Sequence, residues 1–85
     1  MYTEKVRVVN EMGIHAKTAS RIIKTSTRYK SNIFFEYDGK LINAKSIVGI
    51  LAAAIPEGSE IVVRADGVDE TEAVKKIVEL IEEDR

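Results

Sequence analysis

Valines and charged residues alternate at the start of the chain, Val6 and Val8 against Lys5 and Arg7, which predicts a strand over residues 3–9. Asn10 to Gly13 reads as a turn. A helix is expected from about 16 to 28, where Ala16, Ala19, Ile22 and Ile23 fall at helical spacing and Lys17, Arg21, Lys24 and Arg28 line the other face. Residues 32–37 read as a strand, and Asp38-Gly39 is the strongest hairpin signal in the chain, returning it through 40–43. A short helix follows over 47–53 with Ser46 as its N-cap, and Pro56 and Gly58 close that region. The fourth strand spans 60–65, with Ile61 and Val63 on one face. The last helix, 70–83, carries Asp69 and Glu72 at capping-box spacing and buries Ala73, Val74, Ile77, Val78, Leu80 and Ile81.

The order β-α-β-β-α-β-α with amphipathic helices is satisfied most simply by one sheet covered on a single face, an α+β open-faced sandwich. Eighty-five residues are expected to form one domain, 1–85, because so short a chain cannot build two cores. No apolar run approaches the roughly 20 residues of a membrane span, and MYTEKVRVV lacks an apolar signal core, so a cytoplasmic location without membrane attachment is expected. The absence of cysteine removes disulfides and thiolate metal sites, and a single histidine removes a multi-histidine one; no cofactor is called for.

Net charge is −1, but residues 1–48 carry +5 and residues 49–85 carry −6. That asymmetry suits a basic face meeting an acidic partner or a phosphate, and equally a solvated mixture of charges. It does not point to nucleic acid, since the domain is not basic and has no Gly-flanked aromatic RNA-binding motif.

His15 sits where the first turn hands over to the first helix. Helix N-termini leave backbone N–H groups unpaired and carry partial positive charge, which favours anions. Imidazole is the side chain most readily neutral and nucleophilic near neutrality. Were His15 to accept a phosphoryl group, the N–H groups of Ala16, Lys17 and Thr18 and the Lys17 ammonium would hold its oxygens, a covalent transfer site needing no metal. The plain alternative, of about equal weight on the residues alone, is a helix cap with no further task.

The segment NEMGIHAKTAS resembles the active-site segment of HPr, the histidine-containing phosphocarrier of the sugar phosphotransferase system, and EYDGKLINAKSIVGIL and RADGVDETEAV match later segments of that family in order and spacing. The resemblance implies four antiparallel strands with three helices on one face. It further implies that His15 takes a phosphoryl group at Nδ1 from enzyme I and passes it to IIA domains of sugar transporters. The family segment usually reads G-[IL]-H-A-R-P-A, whereas this chain has Lys17 and Thr18. Lysine replaces a bidentate planar fork by a point charge on a flexible stem. Thr18 gives up the fixed φ of proline, restores an N–H and adds a hydroxyl as a possible further donor to the anion. These departures put transfer rate and recognition by the usual enzymes in question, and leave the nucleophile in place.

Ser46 alone reads as an ordinary N-cap. The resemblance adds a regulatory site phosphorylated by an HPr kinase/phosphorylase, with recruitment of a catabolite-control transcriptional regulator. Such a phosphate brings roughly −1.5 to −2 charge beside the basic surface and repels an acidic partner. Ile47, Val48 and Leu51 are either core or, as the resemblance implies, an apolar docking patch. Lys17, Ser20, Arg21, Lys24 and Thr27 adjoin it, as a basic rim or simply the wet side of a helix. A carrier that docks successive partners is expected to be a monomer.

Two further readings stand beside the carrier. One is an HPr-like regulatory paralogue in carbon catabolite control with little or no part in sugar transport. The other is a small-ligand regulatory module of ferredoxin-like type, which the element order permits but which gives no reason for histidine and serine at the two helix starts. A turnover enzyme has little support, since no second histidine, cysteine, Gly-rich nucleotide loop or neighbouring carboxylate accompanies His15.

Overall fold

In the computed structural model, which describes residues 1–85, the chain runs β1 (Tyr2–Arg7), α1 (Ala16–Ser26), β2 (Asn32–Tyr37), β3 (Lys40–Asn43), α2 (Ile47–Ala53), β4 (Glu60–Asp66) and α3 (Glu70–Glu83). The strands form one antiparallel sheet in the order β1-β4-β2-β3. Register follows from the period-two pattern: Val6 pairs with Ile61, and Phe35 stands between Val63 and Ile42, so Val6, Phe35, Ile42, Ile61 and Val63 face one side. All three helices cover that side, and Ala19, Ile22, Ile50, Val74, Ile77 and Ile81 meet the strand residues in one core. The other side stays open, with Lys5, Leu41, Val62 and Arg64 exposed or half-buried.

Strands 32–37 and 40–43 and helices 47–53 and 70–83 lie where the pattern places them. The first strand ends at Arg7, two residues early, although Val8 still exchanges hydrogen bonds with Ser59 and Gly58 (2.9 and 2.8 Å). Helix α1 ends at Ser26 and not 28, because the N–H groups of Arg28 and Tyr29 turn to the carbonyls three residues back, Thr25 and Ser26 (3.1 and 3.2 Å). Ala16 is exposed, and Ile23 and Leu80 are only half-buried.

The expected capping box at α3 does not form. Asp69 occupies the N-cap position, but its side chain makes no cap bond. Its carboxylate instead accepts from the Ser31 hydroxyl and from the N–H groups of Lys30 (2.9 Å) and Ser31 (3.0 Å), stapling the α1–β2 loop to the start of α3. Those donors, the Ser31 hydroxyl foremost, hold the Asp69 carboxyl at about 2, well below its ordinary value. The neighbouring Glu70 closes the turn that leads into α3, its carboxylate accepting from the N–H of Gly67 at 3.1 Å.

Candidate functional site

Gly13 sets the approach to His15. Its φ of +69° lies in the left-handed region, and a Cβ there would fall 2.3 Å from the Ile55 carbonyl oxygen. The next N–H, of Ile14, donates to that same carbonyl at 2.9 Å, so the turn before His15 is moored to the segment after α2. The Asn10 side chain shapes the turn from inside, its Oδ1 accepting from the Met12 N–H at 2.8 Å.

His15 is the N-cap of α1, in extended conformation (φ −97°, ψ −177°). Its Nδ1 accepts from the Lys17 N–H at 3.3 Å, which places the ring proton on Nε2 and aims the Nδ1 lone pair over the helix end. The first helical bond runs from the Ala19 N–H to the His15 carbonyl (2.8 Å), so the N–H groups of Ala16, Lys17 and Thr18 precede the intrahelical ladder. Half-buried His15 shares a shallow cleft with Asn10, Met12, Lys17, Arg21 and Asp84. The geometry thus unites a nucleophilic nitrogen, orphan donors and cations, the components that phosphoryl transfer requires.

One expected donor is not available. The Thr18 side chain is buried (1% exposed) and its hydroxyl donates to Asp84, so it turns into the molecule and not toward an anion at His15. Asp84 also accepts from Asn10 Nδ2 (3.3 Å) and pairs with Arg21 (3.8 Å). Neither Asn10 nor Asp84 stands out in the sequence, since the Thr18–Asp84 bond spans 66 residues. The burial of Thr18 itself had a signal: with Ile22 and Ser26 it falls at i, i+4 and i+8 on the inner face of α1.

Lys17, Ser20, Arg21 and Lys24 on α1 and Thr27 at its C-cap are all exposed, and Lys17 and Lys24 form no ion pair. Ser46 caps α2, its Oγ accepting from the Gly49 N–H at 3.1 Å. That seven-residue helix buries only Ile50. Ile47, Val48 and Leu51 lie on the surface, Val48 at 74% exposure, so the core reading of these three is excluded.

The chain matches a known group of proteins. The family model described as "PTS HPr component phosphorylation site" covers residues 2–83. The HPr-like protein Crh of Bacillus subtilis is 37% identical over 84 residues, 99% of each chain. Among solved structures, HPr of Thermoanaerobacter tengcongensis superposes with a TM-score of 0.92 at 38% identity, covering 96% of this chain and 92% of that one. The crystal structure of Crh gives 0.79 at 36% identity, covering 100% and 98%. The protein belongs to the HPr family, whose members are phosphocarriers and HPr-like regulators. Its fold is the open-faced α+β sandwich of those structures. The Crh crystal is described as an intertwined, domain-swapped dimer, so family membership does not carry the expected monomeric state with it.

Proposed function

We propose that the protein is a cytoplasmic phosphocarrier, a single domain of residues 1–85. His15 takes a phosphoryl group from enzyme I, formed from phosphoenolpyruvate, and gives it to IIA domains of sugar transporters. The observation that carries this reading is the placement of His15 Nδ1 over the start of α1, with the Lys17 N–H at 3.3 Å. In the transfer, the Nδ1 lone pair forms the bond to phosphorus as the bond from phosphorus to the donor breaks, while the ring proton stays on Nε2. The Lys17 N–H passes from Nδ1 to an incoming oxygen, the N–H groups of Ala16 and Thr18 take others, and the Lys17 ammonium balances charge. Ile47, Val48 and Leu51 supply an apolar centre, and Lys17, Ser20, Arg21, Lys24 and Thr27 a basic rim, for short-lived contact with acidic partners.

Ser46 serves in this reading as the regulatory site for an HPr kinase/phosphorylase, and its phosphorylated form recruits a catabolite-control regulator. The likeness to Crh, whose solved structure bears the name catabolite repression protein, favours a second reading in which regulation is the main output. Retention of His15 supports the carrier. Incubation with enzyme I and phosphoenolpyruvate, followed by intact mass, separates the two. An acid-labile phosphoryl adduct on the wild type and none on His15→Ala supports the carrier. No adduct beside a competent HPr charged in the same tube leaves regulation through Ser46.

A further inference from the structure

The usual proline after the cation of the family segment is replaced here by Thr18, which removes a covalent constraint at the first turn of α1. The structure holds that turn by another means. Asp84, buried beside α1, accepts from the Thr18 hydroxyl on one side of His15 and from the Asn10 amide on the other (3.3 Å). Asn10 is bound at both ends of its side chain, since its Oδ1 accepts from the Met12 N–H at 2.8 Å, and its carbonyl accepts from the Gly13 N–H at 2.8 Å. One carboxylate therefore clamps the turn before His15 and the turn after it. Both hydrogen bonds are shielded from water, as Asn10 and Thr18 are themselves buried.

We propose that Asp84 is a positioning residue for His15, fixing through Thr18 and Asn10 the two segments that set imidazole Nδ1 over the Lys17 N–H. It touches no phosphoryl oxygen and acts through the residues it holds. The inference deepens the carrier reading and rests on His15 being the nucleophile. Misplacement of a reacting group by as little as ~1 Å can cost about 100-fold in rate, so a clamp on both flanks has measurable weight.

The test uses phosphoramidate, a small donor that transfers its phosphoryl group to imidazole with release of ammonia and needs no docking surface. Rate is read by intact mass, and the site of attachment and the ring tautomer by ¹⁵N NMR of the folded protein, in which any unfolding is also visible. Thr18→Val and Asp84→Ala are each expected to lower the rate at Nδ1 by about tenfold and to reduce the share of the Nε2–H tautomer. The double variant is expected to be no slower than Asp84→Ala alone, because that variant already lacks the bond to Thr18. Thr18→Ser and Asp84→Asn, which keep a donor and an acceptor, are expected to stay within about twofold of wild type.

Unchanged rate and tautomer in Thr18→Val and Asp84→Ala would overturn the inference. So would additive losses in the double variant, or an Asp84→Asn variant as impaired as Asp84→Ala, which would assign the effect to charge on Arg21. A wild type labelled by phosphoramidate but not by enzyme I defeats the carrier reading alone, and the same ratios still decide the role of Asp84. If neither donor labels His15, the carrier reading fails and the tautomer ratios decide.

Discussion

The backbone N–H of Ile14 donates to the carbonyl of Ile55 at 2.9 Å, binding the turn that delivers His15 to the segment that leaves α2. Gly13 makes that approach possible. Gly13→Ala meets the Ile55 carbonyl at 2.3 Å and forces a side chain to φ +69°. A loss of about 2 kcal/mol or more is expected from urea unfolding. Gly39→Ala is the control: its φ is +73°, yet nothing lies within 4 Å, so about 1 kcal/mol is expected. Equal losses in the two would deny the close approach any weight.

At Ser46, capping and charge separate by substitution. Ser46→Ala loses the acceptor for the Gly49 N–H (3.1 Å) and is expected to cost about 1 kcal/mol. Ser46→Asp keeps an acceptor and adds negative charge, so its urea midpoint is expected near wild type while phosphoryl transfer from enzyme I slows several-fold. Undiminished transfer in Ser46→Asp would argue against electrostatic regulation from this position.

Neighbours on α2 divide sharply between packing and surface. Ile50→Ala, at a fully buried position, is expected to lose about 2–4 kcal/mol. Val48→Ser, at 74% exposure, is expected to change stability by less than about 0.5 kcal/mol. The same Val48→Ser variant is expected to raise the KM of enzyme I for this protein with little change in kcat. An unchanged KM removes Val48 from the docking patch.

Asp69 makes stability depend on pH in one direction. Its carboxyl is held at about 2 in the folded chain by the Ser31 hydroxyl and the Lys30 and Ser31 amides, against an ordinary aspartate value near 3.8. A group whose folded value is depressed adds stability above its unfolded value and loses it as pH falls through the folded one. The thermal midpoint of the wild type is therefore expected to exceed that of Asp69→Asn by a constant margin above about pH 5, with the margin shrinking toward pH 2. A margin that is flat down to pH 2 would contradict the staple.

Much of this architecture was legible because its signals are local. The Asp38-Gly39 hairpin, the α2 cap at Ser46 and the apolar stripe of α3 each depend on residues within a few positions of one another, and each lies where expected. Asp69 misled because its best donors, Lys30 and Ser31, stand 39 and 38 residues away and outcompete the local cap. Thr18 looked like a surface donor since polar residues at a helix start usually face water; Asp84, invisible from that segment, draws it inward. The place of His15 at the head of α1 was legible because the helix start and the preceding glycine are its neighbours in sequence, whereas Asp84 is not. The exposure of Ile47, Val48 and Leu51 lay beyond the residues' own pattern, as apolar side chains on a short helix read like core until the packing of Ile50 is known.

Strand β4 lies between β1 and β2 and pairs with both. On the ribosome, β1 thus emerges with no strand to join until residues 60–66 have been made, and only the β2–β3 hairpin can close beforehand. Both helix starts, at His15 and at Ser46, are synthesised ahead of the strand that completes the sheet beneath them. A partner that recognises the folded surface can therefore meet it only once residues 60–66 have been made.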